Sequence, residues 1–317
     1  MKFDLQRVRE SLRDTYQRAS QSSRNTYQLV SQRVAQSSRN AYQQVSQRVT
    51  QSSGLRGSFS FQEQLRELVS SIQFLSVVPV PGSKRLFATQ DDSSRIIKGS
   101  GYFSLVGFLI GLITCIIPFL FRSLLPSFVL SILAIIVLVV LTGGVHLDGL
   151  MDTCDGVFGR QDRADKLTIM RDSRVGAFGV LGAACVLLAK FALLGSMGSS
   201  LLFPALLVAP AVSRWCVVLA MRLFPSARPD GMGDEFRQSI TVPYLVVSGV
   251  IALLVALIFG HVVVGLLVWV GASVVAIIIG MWMTRVLGGL TGDVGGAIVE
   301  VTEVVALLLF LLFRFWY

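Results

Sequence analysis

The side chains best suited to chemistry stand in residues 143–156, GGVHLDGLMDTCDG, where Asp148, Asp152 and Asp155 are spaced i, i+4 and i+7. On a helix that spacing confines three carboxylates to an arc of about 60°, one above the next. Like charges so placed repel one another unless a cation gathers them. Hard oxygen donors on one face suit Mg²⁺, which keeps some of its waters and takes further ligands from substrate phosphates. The plainer reading is a solvated acidic helix face. The glycine-rich, otherwise apolar surroundings weigh against that reading. His146, at the start of the same segment, is a candidate catalytic or substrate-contact residue, or a residue of the helix start.

Two further segments carry ionisable residues in apolar surroundings. In KLTIMRDSRVGAFG (166–179), Asp172 or Ser173 can cap the helix that follows. Arg171 and Arg174 flank that position, and arginines beside a helix N-terminus make an anion site. Asp172 is therefore read as a cap, as a further metal ligand, or as a base. In GGLTGDVGG (288–296) the glycines permit close backbone approach, Asp293 lies at the mouth, and Glu300 and Glu303 follow at i, i+3 within an apolar run. An acid inside such a run is costly unless it is paired or functional. Glu300 and Glu303 are thus candidates for a second metal site, or for ion pairs with Arg214 or Lys190. Arg214 itself is a candidate substrate contact. The loop RLFPSARPDGMGDEFR (222–237), with Arg228, Asp230, Asp234 and Glu235, reads as a solvated loop or as part of a substrate lid.

The elements that must hold these residues are membrane helices. Of the 317 residues 53% are hydrophobic and only 15% charged, with a mean hydropathy of +0.68, far from the roughly 25% charge of soluble domains. Scattered Cys115, Cys154, Cys185 and Cys216 exclude a disulfide scaffold and supply no zinc motif. Apolar stretches near the ~20 residues a spanning helix needs run at 103–121, 126–143, 176–196, 202–221, 243–260, 262–283 and 298–313. If the N-terminus is cytoplasmic, 24 of the 28 Lys and Arg fall in inner segments. Arg122 and Arg314 are then the outer ones, and Lys190 and Arg214 lie within spans. The positive-inside rule therefore predicts seven spans, N-in and C-out, in an all-α polytopic bundle. All 19 acids sit on the inner side or just inside the seventh span, so the polar chemistry is expected to face the cytoplasm.

Outside the bundle, residues 1–60 form a basic, low-complexity extension in which SSRNTYQLVSQRVAQ (22–36) recurs as SSRNAYQQVSQRVTQ (37–51). Its expected state is flexible or a surface helix drawn to anionic lipid, with a partner-binding coiled coil or a transit peptide as alternatives. No aromatic-basic platform accompanies the charge, so nucleic acid is not an expected partner. Residues 61–102 are expected to be an interfacial amphipathic helix and linker, and 103–317 the catalytic domain.

Five of these segments in order, FLSVVPVP (74–81), GYFSLVGFLIG (101–111), GGVHLDGLMDTCDGVFG (143–159), RDSRVGAFG (171–179) and GGLTGDVGGA (288–297) with Glu300 and Glu303, resemble the cobalamin synthase family, adenosylcobinamide-GDP ribazoletransferase. The resemblance covers residues 61–317 and leaves the extension out. It implies a Mg²⁺-dependent, multi-pass enzyme of the cytoplasmic membrane. Its substrates would be adenosylcobinamide-GDP and α-ribazole or the 5′-phosphate of α-ribazole, with GMP as the leaving group. In such an enzyme Asp148, Asp152, Asp155, Glu300 and Glu303 are expected to hold metal and Asp172, Asp152 and His146 to be catalytic. Arg171, Arg174, Asp293 and Arg214 would contact substrate. A CDP-alcohol phosphotransferase and a secondary transporter are the competing readings. The pattern D-x2-D-G-x2-A-R of the former is absent, and the acids cluster at one face rather than at mid-membrane as the latter would favour.

Overall fold

A computed structural model describes residues 61–80, 99–172, 174–228 and 232–316. The basic extension, and with it the lipid, coiled-coil and transit-peptide expectations, lies outside the described residues, as do Ser173 and Asp230. The helices are α1 (Phe61–Leu75), α2 (Phe103–Phe121), α3 (Ser127–Thr142), α4 (Val145–Gly159), α5 (Arg163–Ile169), α6 (Ala177–Gly195), α7 (Ser199–Leu223), α8 (Met232–Ser239), α9 (Val242–Phe259), α10 (Val262–Leu287) and α11 (Gly292–Leu312). Among the described residues the only β-type pairing is a bridge between Ser226 and Leu290. The protein is a polytopic membrane helix bundle.

Six helices (α2, α6, α7, α9, α10 and α11) are long and apolar enough to cross a membrane. The remaining expected span, 126–143, is α3, which with α4 forms a pair bent by 89° at their junction, the geometry of a broken span or a re-entrant loop. The turn has a local cause. Gly143 and Gly144 take φ values of 63° and 70°, a left-handed conformation that costs any residue with a Cβ. Their N–H groups close back on Val140 and Val139, ending α3, and Gly144 O then accepts from Asp148 N to open α4. The apolar run therefore stops after 16 residues, and the acidic segment turns away from it.

α7 is the central helix: 83% of its apolar window is buried, against 28% for α9 and α10 and 22% for α6. It packs against α2, α9, α10 and α11. The outer helices expose apolar lanes such as Val246, Val250, Leu254 and Ile258 on α9, and Val263, Leu267, Val274 and Ile278 on α10. Polar side chains lie inside, as a lipid surround demands. At one end of the bundle Phe74 in the last turn of α1, Phe103 of α2 and Phe236 of α8 stack with centroids 5.1–5.8 Å apart. That stack ties α1 and α8 to the spans.

Candidate active site

The site is built where α4 crosses the start of α11. A Cβ on Gly149 would lie 2.8 Å from Asp293 O, and one on Gly296 would lie 2.9 Å from His146 O. Only glycine allows the two backbones to come this close. The crossing brings Asp148 and Asp152 of α4 together with Asp293 of α11 at one end of the bundle, close enough for all three to act on one another electrostatically. Asp148 is exposed, and Asp152 and Asp293 are half-buried. Thr291 caps α11, accepting from Val294 N at 3.2 Å, so this helix begins six residues before the apolar run itself.

The third wall is the segment after α7. Leu290 N donates to Pro225 O and Ala227 N to Leu290 O, both at 2.8 Å, which pins residues 225–228 beside the α11 start. Arg228 is carried by this strand-like pairing into the acidic group. Its Nη1 lies 3.7 Å from Asp293 Oδ2, and its Nη2 donates to Leu167 O of α5 at 2.7 Å. Its Nε is buried without a hydrogen-bond partner. Burial pulls the guanidinium below its usual range, Asp293 and Asp152 oppose the shift, and Arg171 nearby adds to it. The sequence places Arg228 only in a loop that reads as solvated or as a substrate lid; its position among the acids comes from the long-range pairing with Leu290.

The other expected site residues divide. Asp155 is buried, and both its oxygens are taken: Oδ2 accepts from Gly176 N at 2.7 Å and Oδ1 from Gly179 N at 2.8 Å. It caps α6 from the neighbouring helix α4, where a local cap such as Asp172 is expected from the sequence. The N-cap residue of α6 is Gly176, and Asp172 instead grips Arg174 through Nε at 3.0 Å and Nη2 at 2.6 Å. That fork lowers the Asp172 carboxyl to about 2, leaving a weak proton acceptor. Arg171 is exposed beside the acidic group, and Arg174 is exposed with its guanidinium committed to Asp172.

Glu300 and Glu303 are not brought to Asp148 and Asp152. At about 1.5 Å of rise per residue they sit roughly 10 and 15 Å deeper along α11 than Asp293. There Lys190 Nζ reaches Glu300 Oε2 at 2.7 Å and Glu303 Oε2 at 2.6 Å, and Arg214 Nη1 donates to Glu303 Oε1. All four side chains are nearly or wholly inaccessible. Two cations against two carboxylates make a neutral buried cluster, so the ion-pair alternative describes these residues better than a second metal site does. Arg214, fully buried, belongs to this cluster rather than to a surface that meets substrate. His146 is likewise buried, its Nε2 without a partner, on the side of α4 that faces the cluster.

The sequence model of the cobalamin-5-phosphate synthase family matches residues 67–311. The chain belongs to that family. The match takes in every wall of the site, from α1 to the end of α11. Among relatives of the family member, the adenosylcobinamide-GDP ribazoletransferase of Roseiflexus sp. (strain RS-1) is 38% identical over 237 residues, 75% of this chain and 86% of that one. That of Caldanaerobacter subterraneus subsp. tengcongensis is 35% identical over 253 residues, 78% of this chain and 98% of its own. That of Escherichia coli (strain K12 / DH10B) is 36% identical over 240 residues, 75% and 96% of the two. No solved structure matches the chain.

Proposed function

We propose that this synthase-family member is a Mg²⁺-dependent adenosylcobinamide-GDP ribazoletransferase acting late in cobalamin biosynthesis. The observation that carries the reading is the meeting of Asp148, Asp152 and Asp293 with Arg228 and Arg171 at one end of a membrane bundle, in a chain whose relatives bear that name. The alternation of basic loops supports placing this end at the cytoplasmic face of the inner membrane, N-in.

The donor set fits magnesium in kind. Three carboxylates contributed by two elements are hard ligands, and Mg²⁺ is commonly held by one or two carboxylates with waters and substrate phosphates completing its shell. Among the described residues no three Asp, Glu, His or Cys side chains stand so as to hold an ion together, so in this reading one or two of these carboxylates would bind it and waters and substrate phosphates would complete its shell. Bound there, magnesium would neutralise charge on a diphosphate and on the departing phosphate.

In this reading one or two of Asp148, Asp152 and Asp293 would hold the ion, and Arg171 would bind phosphate oxygens. A hydroxyl oxygen of α-ribazole, or of its 5′-phosphate, forms a bond to the cobinamide-side phosphorus. The bond from that phosphorus to the bridging oxygen breaks, and GMP leaves with that oxygen. The hydroxyl proton passes to a carboxylate of the acidic group. Positioning and charge neutralisation do most of the work in such a transfer. Asp155 and the Lys190–Glu303 cluster support the helices from behind.

The test is incubation of purified protein with adenosylcobinamide-GDP, α-ribazole and Mg²⁺, following GMP and the corrinoid product. Both should form together, and omission of any one component should stop both. GMP released without ribazole would mean hydrolysis, and no release from the complete mixture would refute the transferase reading.

A further inference from the structure

We infer that Arg228 is a substrate-binding residue that grips the diphosphate of the activated substrate from its place beside Asp293, an assignment that rests on the transferase reading above. Three features lead there. The guanidinium is largely buried, 17% exposed, yet its Nε has no hydrogen-bond partner and its ion pair with Asp293 is loose at 3.7 Å. A buried arginine normally satisfies its donors, because an unpaired one costs its full desolvation. Arg228 also sits within electrostatic reach of Arg171, with Asp293 in reach of both and Asp148 and Asp152 in reach of Asp293.

Like charges crowd one another among the acids and again between the two arginines. A phosphate between the arginines and a cation among the carboxylates would relieve both at once, and a metal-bound diphosphate brings the two together. The planar fork of arginine pairs with phosphate through two parallel hydrogen bonds, which lysine cannot reproduce. The bond from Nη2 to Leu167 O and the pinning of Ala227 on Leu290 hold the guanidinium in place before substrate arrives.

A purely structural role, clamping α5 through Leu167 O, is the alternative, and binding separates the two. Full-length protein in detergent with Mg²⁺ is titrated with N-methylanthraniloyl-GDP as the probe, alongside the uncharged labelled guanosine. Wild type is expected to bind the diphosphate, Arg228→Ala to bind it at least about tenfold more weakly, and Arg228→Lys to fall between. Binding of labelled guanosine should be the same in all three. Arg228→Lys keeps a donor toward Leu167 O and guards against loss of folding, which the thermal midpoint reports. Wild-type affinity for the diphosphate in Arg228→Ala, absence of diphosphate binding by wild type, or an equal loss for guanosine would each overturn the assignment. Diphosphate binding that depends on Arg228 in a protein forming no corrinoid product would instead defeat the transferase reading and leave the arginine's role intact.

Discussion

Asp155 offers the sharpest test, because its spacing with Asp148 and Asp152 suggests a metal ligand whereas the fold uses it as a cap. Its carboxylate receives the N–H groups of Gly176 and Gly179 at 2.7 and 2.8 Å in a buried setting. The two glycines are part of the device, since a Cβ on Gly179 would come within 2.4 Å of Asp155 Oδ2. Asp155→Ala strands both N–H groups at the start of α6 and removes a negative charge from a helix N-terminus. Loss of a cap costs about 0.5–2 kcal/mol, and a hydrogen bond to a charged partner about 1.5–3 kcal/mol, so a local loss of about 2–4 kcal/mol is expected. At about 1.4 kcal/mol per factor of ten, amide exchange at Gly176 and Gly179 should accelerate by roughly 30- to 700-fold. Asp155→Asn, which retains one acceptor oxygen, should lose about half of that free energy. Hydrogen–deuterium exchange resolved on peptides covering 174–182, with the thermal midpoint in the same detergent, is the assay. The Mg²⁺ concentration giving half-maximal product formation is measured in parallel, with no change expected in the Asn variant. Unchanged exchange combined with a Mg²⁺ requirement raised tenfold or more would refute the capping argument and return Asp155 to the metal.

Further outcomes follow from the same geometry. Asp152→Asn should reduce product formation at least about 100-fold with the thermal midpoint unchanged, since its half-buried carboxylate faces the site and not the core. Equal activity would exclude it from the metal set. Glu303→Gln should cost about 3–5 kcal/mol by leaving Lys190 and Arg214 with one carboxylate between them. The double change Lys190→Met with Glu300→Gln, which leaves Arg214 and Glu303 as a neutral pair, should be milder than Glu303→Gln when detergent-stable protein is measured by size-exclusion chromatography. Arg174→Ala should let the Asp172 carboxyl rise from about 2 toward the ordinary range near 3.9. Removing this partner extends protonation of Asp172 to higher pH, so a catalytic base there would move the acid limb of the pH–rate profile upward. The expected result is an acid limb that stays where it is.

Much of the architecture is legible in the residues alone, and the reason is that each signal is local. Hydrocarbon thickness sets the length of an apolar run, so the spans can be read from hydropathy. The glycine pair 143–144 halts one of those runs through its own backbone freedom. The acidic spacing of α4 is likewise a property of one helix. Which acids share a partner is a different matter, since it depends on depth along neighbouring helices and on contacts between residues far apart in the chain. Asp155 is claimed by two amides more than twenty residues away, and Glu303 by a lysine more than a hundred residues away. Arg228 enters the site because residues 225–227 pair with Leu290. Composition and periodicity reveal that charge is present near a membrane. The packing of α4, α6, α7 and α11 determines which charges neutralise one another and which remain exposed to meet a ligand.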